Sequence, residues 1–430
     1  MTAATDHPSH LPASFHDYLE GQRAARPRSG RLAGVAAWVT LVILSGALLP
    51  LLATSGAGLD DRARSLLRLS VLPVYATTLI LAMRHAPAVA RSILRSAPLL
   101  ALVGLQFATV LWSIGPSISL RRALALALTL LLSHVLAVAF TPRRLLWLVA
   151  SALGTCMLGS LAMMALQPSL AFVPGDGALR GIYQNKNVLG WVAGIATVAG
   201  VILACDKGGD RRRAGAMIAV VSVACLILSQ SSTGLLAAAG ALIVAGFLVL
   251  LGRARGLGRA LLLVAFMVAA GMTLIFLGLL LVPLLEALGK DATLTGRVPM
   301  WHLIDMRIAD RLWLGHGYQV FWTMGNQEAW VIWGQIGWLS PHAHSGYRDI
   351  LLGSGLAGAA LTAWAIIPAV RGAARLTLLR PGQGWLWPCV FMAQILILNL
   401  TETTLLAQND LQWTLMGTMI ALTSNHARRR

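Results

Sequence analysis

The amino-acid sequence predicts an all-α integral membrane protein with about twelve transmembrane helices and one large periplasmic loop between the ninth and tenth. Three observations predict it. The chain is 57% hydrophobic and 12% charged, with a mean hydropathy of +0.72, a composition far from that of soluble domains. Its apolar runs recur at lengths near the 20 residues that a helix, rising about 1.5 Å per residue, needs to cross a hydrocarbon core of about 30 Å. Its basic residues cluster in every second connection, as the charge rule for cytoplasmic loops requires.

Residues 1–31 are polar and place Arg23, Arg26, Arg28 and Arg31 before the first apolar run at 32–54. No small-residue cleavage pattern follows, so this start reads as a cytoplasmic tail and a retained signal anchor. Further spans are expected at 66–83, 97–113, 121–141, 145–166, 187–205, 214–230, 234–251 and 260–285, which makes nine helices over 32–285. A loop of roughly 60 residues, 286–348, precedes the tenth span at 349–370. The last two, 386–400 and 411–424, are short for spans, and residues 425–430 form a basic cytoplasmic tail.

With the N-terminal tail inside, the same side receives Arg84, Arg91 and Arg95, Arg143 and Arg144, Lys207 with Arg211, Arg212 and Arg213, Arg253, Arg255 and Arg259, Arg371, Arg375 and Arg380, and Arg428, Arg429 and Arg430. Both ends then lie inside and the number of spans is even. The net charge of +18 is thereby explained, and nucleic acid is excluded as a partner because these short clusters lack interleaved aromatic residues. Cys156, Cys205, Cys225 and Cys389 are too far apart for a zinc spacing or a disulfide framework.

The informative cations are those on the opposite side: Arg122 at the start of the fourth span, Arg180 and Lys186 before the sixth, and Arg297, Arg307, Arg311 and Arg348 in or beside the large loop. Arginine near the membrane plane is costly, so a group facing one compartment points to an anionic partner. Arg307 and Arg311 have a plainer explanation in the neighbouring Asp305 and Asp310, whereas Arg180 and Arg297 have no acid close by on the same helical face. Asn185 and Asn187 flank Lys186, and Asn187 suits a helix N-cap. Lys186 at that helix start is unfavourable unless an anion such as phosphate binds there.

The stretches TLTGRVPMW (293–301), ADRLWLGHGYQVF (309–321) and HAHSGYRDILLGSGLAG (342–358) resemble the signature loop of the O-antigen ligase and polysaccharide polymerase superfamily. WSIGPSISLRRAL (112–124), RGIYQNKNVLG (180–190) and NLTETTLLAQND (399–410) are similar to its exopolysaccharide-polymerase branch. The resemblance implies a multi-pass glycosyltransferase of the bacterial inner membrane. It would take a glycan from an undecaprenyl-diphosphate carrier on the periplasmic face, and its essential histidine and arginine would correspond to His344 and Arg297. The implied partners are the lipid-linked oligosaccharide donor, a glycan or lipid A-core acceptor, the bilayer, and polysaccharide assembly or export proteins. Two departures stand out. Ser345 occupies a place where many members have Asn, and QSSTG (230–234) lacks the arginine that ligases often carry there, which favours polymerase over ligase.

The chemistry follows from the donor. A sugar diphosphate already carries a good leaving group, so the enzyme must activate an acceptor hydroxyl and stabilise charge on the diphosphate. His344 is the candidate base, since a neutral imidazole accepts a proton near neutral pH. Asp349 could orient it from the first turn of the tenth span, His342 is expected to be structural, and Glu402 is a further acid candidate. Arg297, Arg180, Arg122 and Lys186 would hold the diphosphate, with Arg348 and Asn187 as secondary candidates. No cofactor and no metal is expected, because the chain has no Asp-x-Asp pair and only 16 acids in 430 residues. With no obvious carboxylate nucleophile in the loop, one-step displacement with inversion is expected. A transporter or flippase of lipid-linked sugars is the competing class; it would place ionisable groups at mid-membrane and often show an inverted repeat.

The orientation is testable in intact cells. In a background without native cysteines, a cysteine near Gly325 should react with a membrane-impermeant thiol reagent and one near Gly382 should not; the opposite labelling would reverse the topology.

Overall fold

A computed structural model describes residues 30–47, 69, 71–206, 211–276, 279 and 296–427. The basic tails at 1–29 and 428–430, Lys207, and the first part of the large loop lie outside the described residues. Helices dominate: α1 (Arg31–Leu44), α2 (Leu72–Arg84), α3 (Ala86–Arg95), α4 (Ala97–Ala108), α5 (Pro116–Ala139), α6 (Pro142–Leu166), α7 (Lys186–Cys205), α8 (Arg212–Leu228), α9 (Ser232–Arg253), α10 (Gly256–Ile275), α11 (Arg297–Asp310), α12 (Gln327–Ile336), α13 (Gly346–Leu379), α14 (Leu386–Leu398) and α15 (Leu411–Ala427). Among the described residues the only β-type pairing is one isolated bridge between Phe172 and Leu179.

Every apolar run expected to span overlaps a helix, but length separates them. Among the described residues, six helices are long and apolar enough to cross alone: α5, α6, α7, α9, α10 and α13. A seventh candidate is α3 joined to α4 and its 3-10 extension, a pair bent by 84°. Pro98 in the first turn of α4 ends the run of α3, because proline has no amide to continue the ladder. Among the described residues, then, six or seven spans are long and apolar enough by themselves, and α1, α2 and α14 are shorter apolar helices.

The large loop is also more ordered than expected. It holds α11 and α12, whose Met300, Ile304, Ile308, Ala329, Ile332 and Trp333 form a small core with Phe321, Ala343 and Leu352. That core seats the loop on the first turns of α13, separately from the main bundle core. Among the six long helices α7 has the largest buried share, and it packs against α8 so closely that a Cβ on Gly200 would stand 2.7 Å from the Ala219 nitrogen. By contrast, no residue in the apolar window of α10 is buried.

One break positions the site. Gly355 interrupts α13 with φ 61° and ψ −161°, a conformation open in practice only to glycine. The backbone groups that the break releases are taken by the segment after α11. Leu352 O and Gly353 O accept from the amides of His316 (2.7 Å) and Gly317 (3.0 Å), while the amides of Leu356 and Ala357 donate to Leu312 O (2.8 Å) and Trp313 O (3.1 Å). Irregular backbone at a membrane requires such internal satisfaction. A Cβ at position 355 would lie 2.4 Å from Trp313 C. Gly355→Ala should cost about 3 kcal/mol or more, read as a lowered melting temperature of the purified protein and faster proteolysis of residues 309–317.

Candidate functional site

The site is assembled where the start of α11, the start of α13 and the connection between α14 and α15 meet. Arg297 is the first residue of α11, after Gly296 in the left-handed conformation. A cation there opposes the helix dipole, and it is compensated by Glu402, whose Oε1 accepts from Arg297 NH2 at 2.9 Å. Glu402 is 1% exposed and Arg297 17%; a carboxylate so deeply enclosed is tolerable only when paired. Its other oxygen, Oε2, stands 3.4 Å from His344 Nδ1. That contact is within ion-pair reach but not aligned as a hydrogen bond, and Nδ1 has no other partner. Such apo contacts commonly tighten when substrate binds.

The loop ahead of α13 is shaped around this contact. His344 adopts φ 48°, an uncommon conformation for a residue with a side chain. Asp349 holds the turn through its carboxylate, which accepts from the Ala343 amide (2.9 Å), Thr403 Oγ1 (2.6 Å) and Trp322 Nε1 (2.9 Å). Trp301 Nε1 donates to Ala343 O at 2.8 Å, and the Trp338 ring lies 5.6 Å from that of His344. The Gly346 amide donates to the carbonyls of Asn399 (3.0 Å) and Glu402 (2.8 Å), so the segment that carries the carboxylate also caps α13. A Cβ at Gly346 would meet Asn399 Oδ1 at 2.0 Å, which explains the glycine after Ser345.

Several expectations change. Asp349 makes no hydrogen bond to the His344 ring among the described residues; it fixes the preceding backbone, and the carboxylate facing the ring is Glu402. Arg297 does have an acid, one that arrives 105 positions later in the chain. Arg307 pairs with Asp310 at 2.9 Å as expected. Asp305, however, takes Arg348 through two bonds of 2.8 and 3.0 Å, with the guanidinium 4.7 Å from the Trp301 ring centre. Arg311 is left with only a 3.5 Å approach to Trp112 O. Lys186 is paired with Asp176, which offsets its unfavourable position without an anion. The cap of α7 is Asn185, accepting from the Val188 amide at 2.9 Å, because Asn187 already lies one residue inside the helix.

Two diphosphate candidates stand apart from His344. Arg180 donates to Leu170 O at 2.9 Å, in the connection between α6 and α7, and no contact among the described residues joins it to the His344 cluster. Arg122 donates to Gln319 O, and the Gln319 amide reaches Leu406 O at 3.1 Å, four residues beyond Glu402. Neither guanidinium has a carboxylate partner among the described residues.

His342, His344 and Glu402 offer ligand atoms within 4.8 Å of one another, a cluster that the search for carboxylate pairs missed because Glu402 is remote in sequence. It suits a cation poorly. His342 Nδ1 already accepts from the His344 amide at 3.2 Å, and an ion bound to Glu402 would face the Arg297 guanidinium.

The histidine-bearing loop, the break at Gly355 and the helices flanking them fall within residues 217–363, which match the family described as O-antigen ligase. Over these residues the chain is similar to that family. The matched stretch includes Arg297, His342, His344 and Asp349, while Glu402, Arg122, Arg180 and Lys186 lie outside it. The chain is also similar to the exopolysaccharide production protein ExoQ of Rhizobium meliloti (strain 1021), with 29% identity over 281 residues covering 61% of this chain and 62% of that protein. The match therefore spans a little under two thirds of that relative's length. These similarities accord with the exopolysaccharide branch of the superfamily.

The packing around His342 has a consequence for acid stability. Burial, reinforced by the nearby His344 ring and the Arg297 guanidinium, lowers the His342 imidazole to about 3. Below about pH 6.5 the unfolded chain takes up a proton that the folded protein refuses. The stability contributed by neutral His342 is therefore complete above that value and lost as pH falls toward 3. The melting temperature of His342→Gln should fall less between about pH 7 and 4.5 than that of the wild type; equal slopes would remove His342 from the account.

Proposed function

We propose that the chain is a membrane glycosyltransferase that moves a glycan from an undecaprenyl-diphosphate carrier to an acceptor hydroxyl, polymerising exopolysaccharide repeat units at the periplasmic face of the bacterial inner membrane. In this reading residues 286–348 are the periplasmic catalytic segment, both chain ends are cytoplasmic, and the shorter helices complete about twelve crossings. The observation that carries it is the line from Arg297 through buried Glu402 to His344, two of whose three residues, Arg297 and His344, fall in the stretch similar to the O-antigen ligase family.

The roles follow from that line. Glu402 faces Nδ1, so it favours the tautomer with the proton on Nδ1 and leaves Nε2 to accept the proton of the acceptor hydroxyl. As the new bond forms at the anomeric carbon, the bond from that carbon to the diphosphate oxygen breaks and its electron pair leaves with the diphosphate. The imidazolium that results faces the Glu402 side chain, which Arg297 holds in place. Arg297 has further N–H donors beyond the one given to Glu402. With Arg122, Arg180 and Lys186, it supplies the positive charge expected for the diphosphate. Asp349 and His342 act as positioning residues through the backbone on either side of position 343. A single displacement inverts the anomeric configuration, and the mechanism needs no metal. The similarity to an exopolysaccharide production protein favours polymerisation over transfer to lipid A-core.

Purified protein with a lipid-linked repeat unit tests the base. His344→Ala should retain its melting temperature yet lower polymer formation by roughly 10²–10⁴-fold, whereas near-normal turnover would remove His344 from the chemistry. Glu402→Gln should lower turnover as well. Because it leaves Arg297 unpaired, it should also lower stability by about 3–5 kcal/mol, which a denaturation curve separates from the loss in rate.

A further inference from the structure

Arg311, unlike Arg307 and Arg348, has no carboxylate partner among the described residues, and it borders an open groove of about 510 Å³. The groove lies between Trp112, just beyond the 3-10 turn that extends α4, and the segment from Asp310 to Leu314. Its walls are mainly apolar: Leu312, Trp313 and Leu314 are 39%, 72% and 46% exposed, and Leu111, adjoining Trp112 in sequence, is 87% exposed. Its volume is typical of small-molecule sites.

The groove is built to hold its shape. Trp112 Nε1 donates to Leu314 O at 3.1 Å, the Gly315 amide donates to Arg311 O at 2.9 Å, and Leu312 O and Trp313 O are bonded to the broken turn of α13. Its polar groups are largely engaged. Asp310 is held by Arg307 and the Trp112 indole N–H by Leu314 O, which leaves few partners for a sugar's hydroxyls. What remains is an open apolar trough with one guanidinium that has no carboxylate partner among the described residues.

We infer that this groove binds the isoprenoid chain of a polyprenyl diphosphate, with Arg311 on its phosphate. The inference rests on the reading of the chain as an enzyme of lipid-linked glycans and adds a second place for such a lipid. A polymerase joins two carrier-linked glycans, so two diphosphates must be held at once, and Arg311 is separate from the Arg297, Glu402 and His344 cluster. Guanidinium contact with phosphate oxygens is charge-assisted and bidentate, and burying prenyl carbons against indole and leucine side chains provides the remaining attraction.

Binding of undecaprenyl diphosphate carrying a photoreactive group on its terminal isoprene tests this in the full chain bearing His344→Ala, so that no turnover is needed and failure of the proposed catalysis is read separately. Labelling should fall on residues 309–315 or Trp112. Arg311→Ala should weaken binding about tenfold or more, with Arg311→Lys intermediate. Labelling confined to other residues, or unchanged labelling of residues 309–315 and Trp112 in a folded Arg311→Ala protein, would overturn the inference. Equal displacement by phosphatidylglycerol, or by inorganic diphosphate alone, would also overturn it by revealing a general headgroup or phosphate site. Should Arg311→Ala fail to fold, Trp313→Ala decides the same question, since it should reduce labelling while leaving the guanidinium in place.

Discussion

A carboxylate enclosed at the meeting of three chain segments holds the functional end of this protein together. Glu402 neutralises the arginine that opens α11, faces the histidine ahead of α13, and lends its carbonyl to the first amide of that helix. Each contact taken singly would be ordinary. Together they make the placement of His344, the seat of the loop and the start of α13 depend on one buried side chain, and the low dielectric around it strengthens its hold on the Arg297 guanidinium.

Around that centre the irregular backbone is supported at every point where a regular helix would have supplied its own hydrogen bonds. The turn at His344 is tied by Asp349 and Trp301, and the gap at Gly355 is filled by amides and carbonyls from residues 312–317. The loop is in effect a short extension of α13, packed on its own small core. Such support holds His344, Glu402 and Arg297 in one arrangement without help from a bound partner.

Much of this could be read from the residues in order. Hydropathy located the helices because lipid requires a local periodic solution, and the cluster before the tenth span drew attention to His344 and Arg297. What stayed hidden was non-local. Nothing near Arg297 announces an acid 105 residues away, and Asp349 looked like the natural partner of His344 only because it is five positions distant. Asn187 was taken for the cap where Asn185 serves, a shift of two residues that composition cannot resolve.

The helix that leads into the catalytic segment bears on how the protein lives in a bilayer. α10 has no buried residue in its apolar window and meets the bundle at a stacked pair, Phe247 and Phe266, with ring centres 4.0 Å apart. A span sheathed in lipid in this way takes its tilt from the thickness of the surrounding membrane. The groups that would do chemistry are anchored instead to α13 and to the turn before α15. Swelling or thinning of a membrane around it would thus act first on a helix that bears none of Arg297, His344 and Glu402.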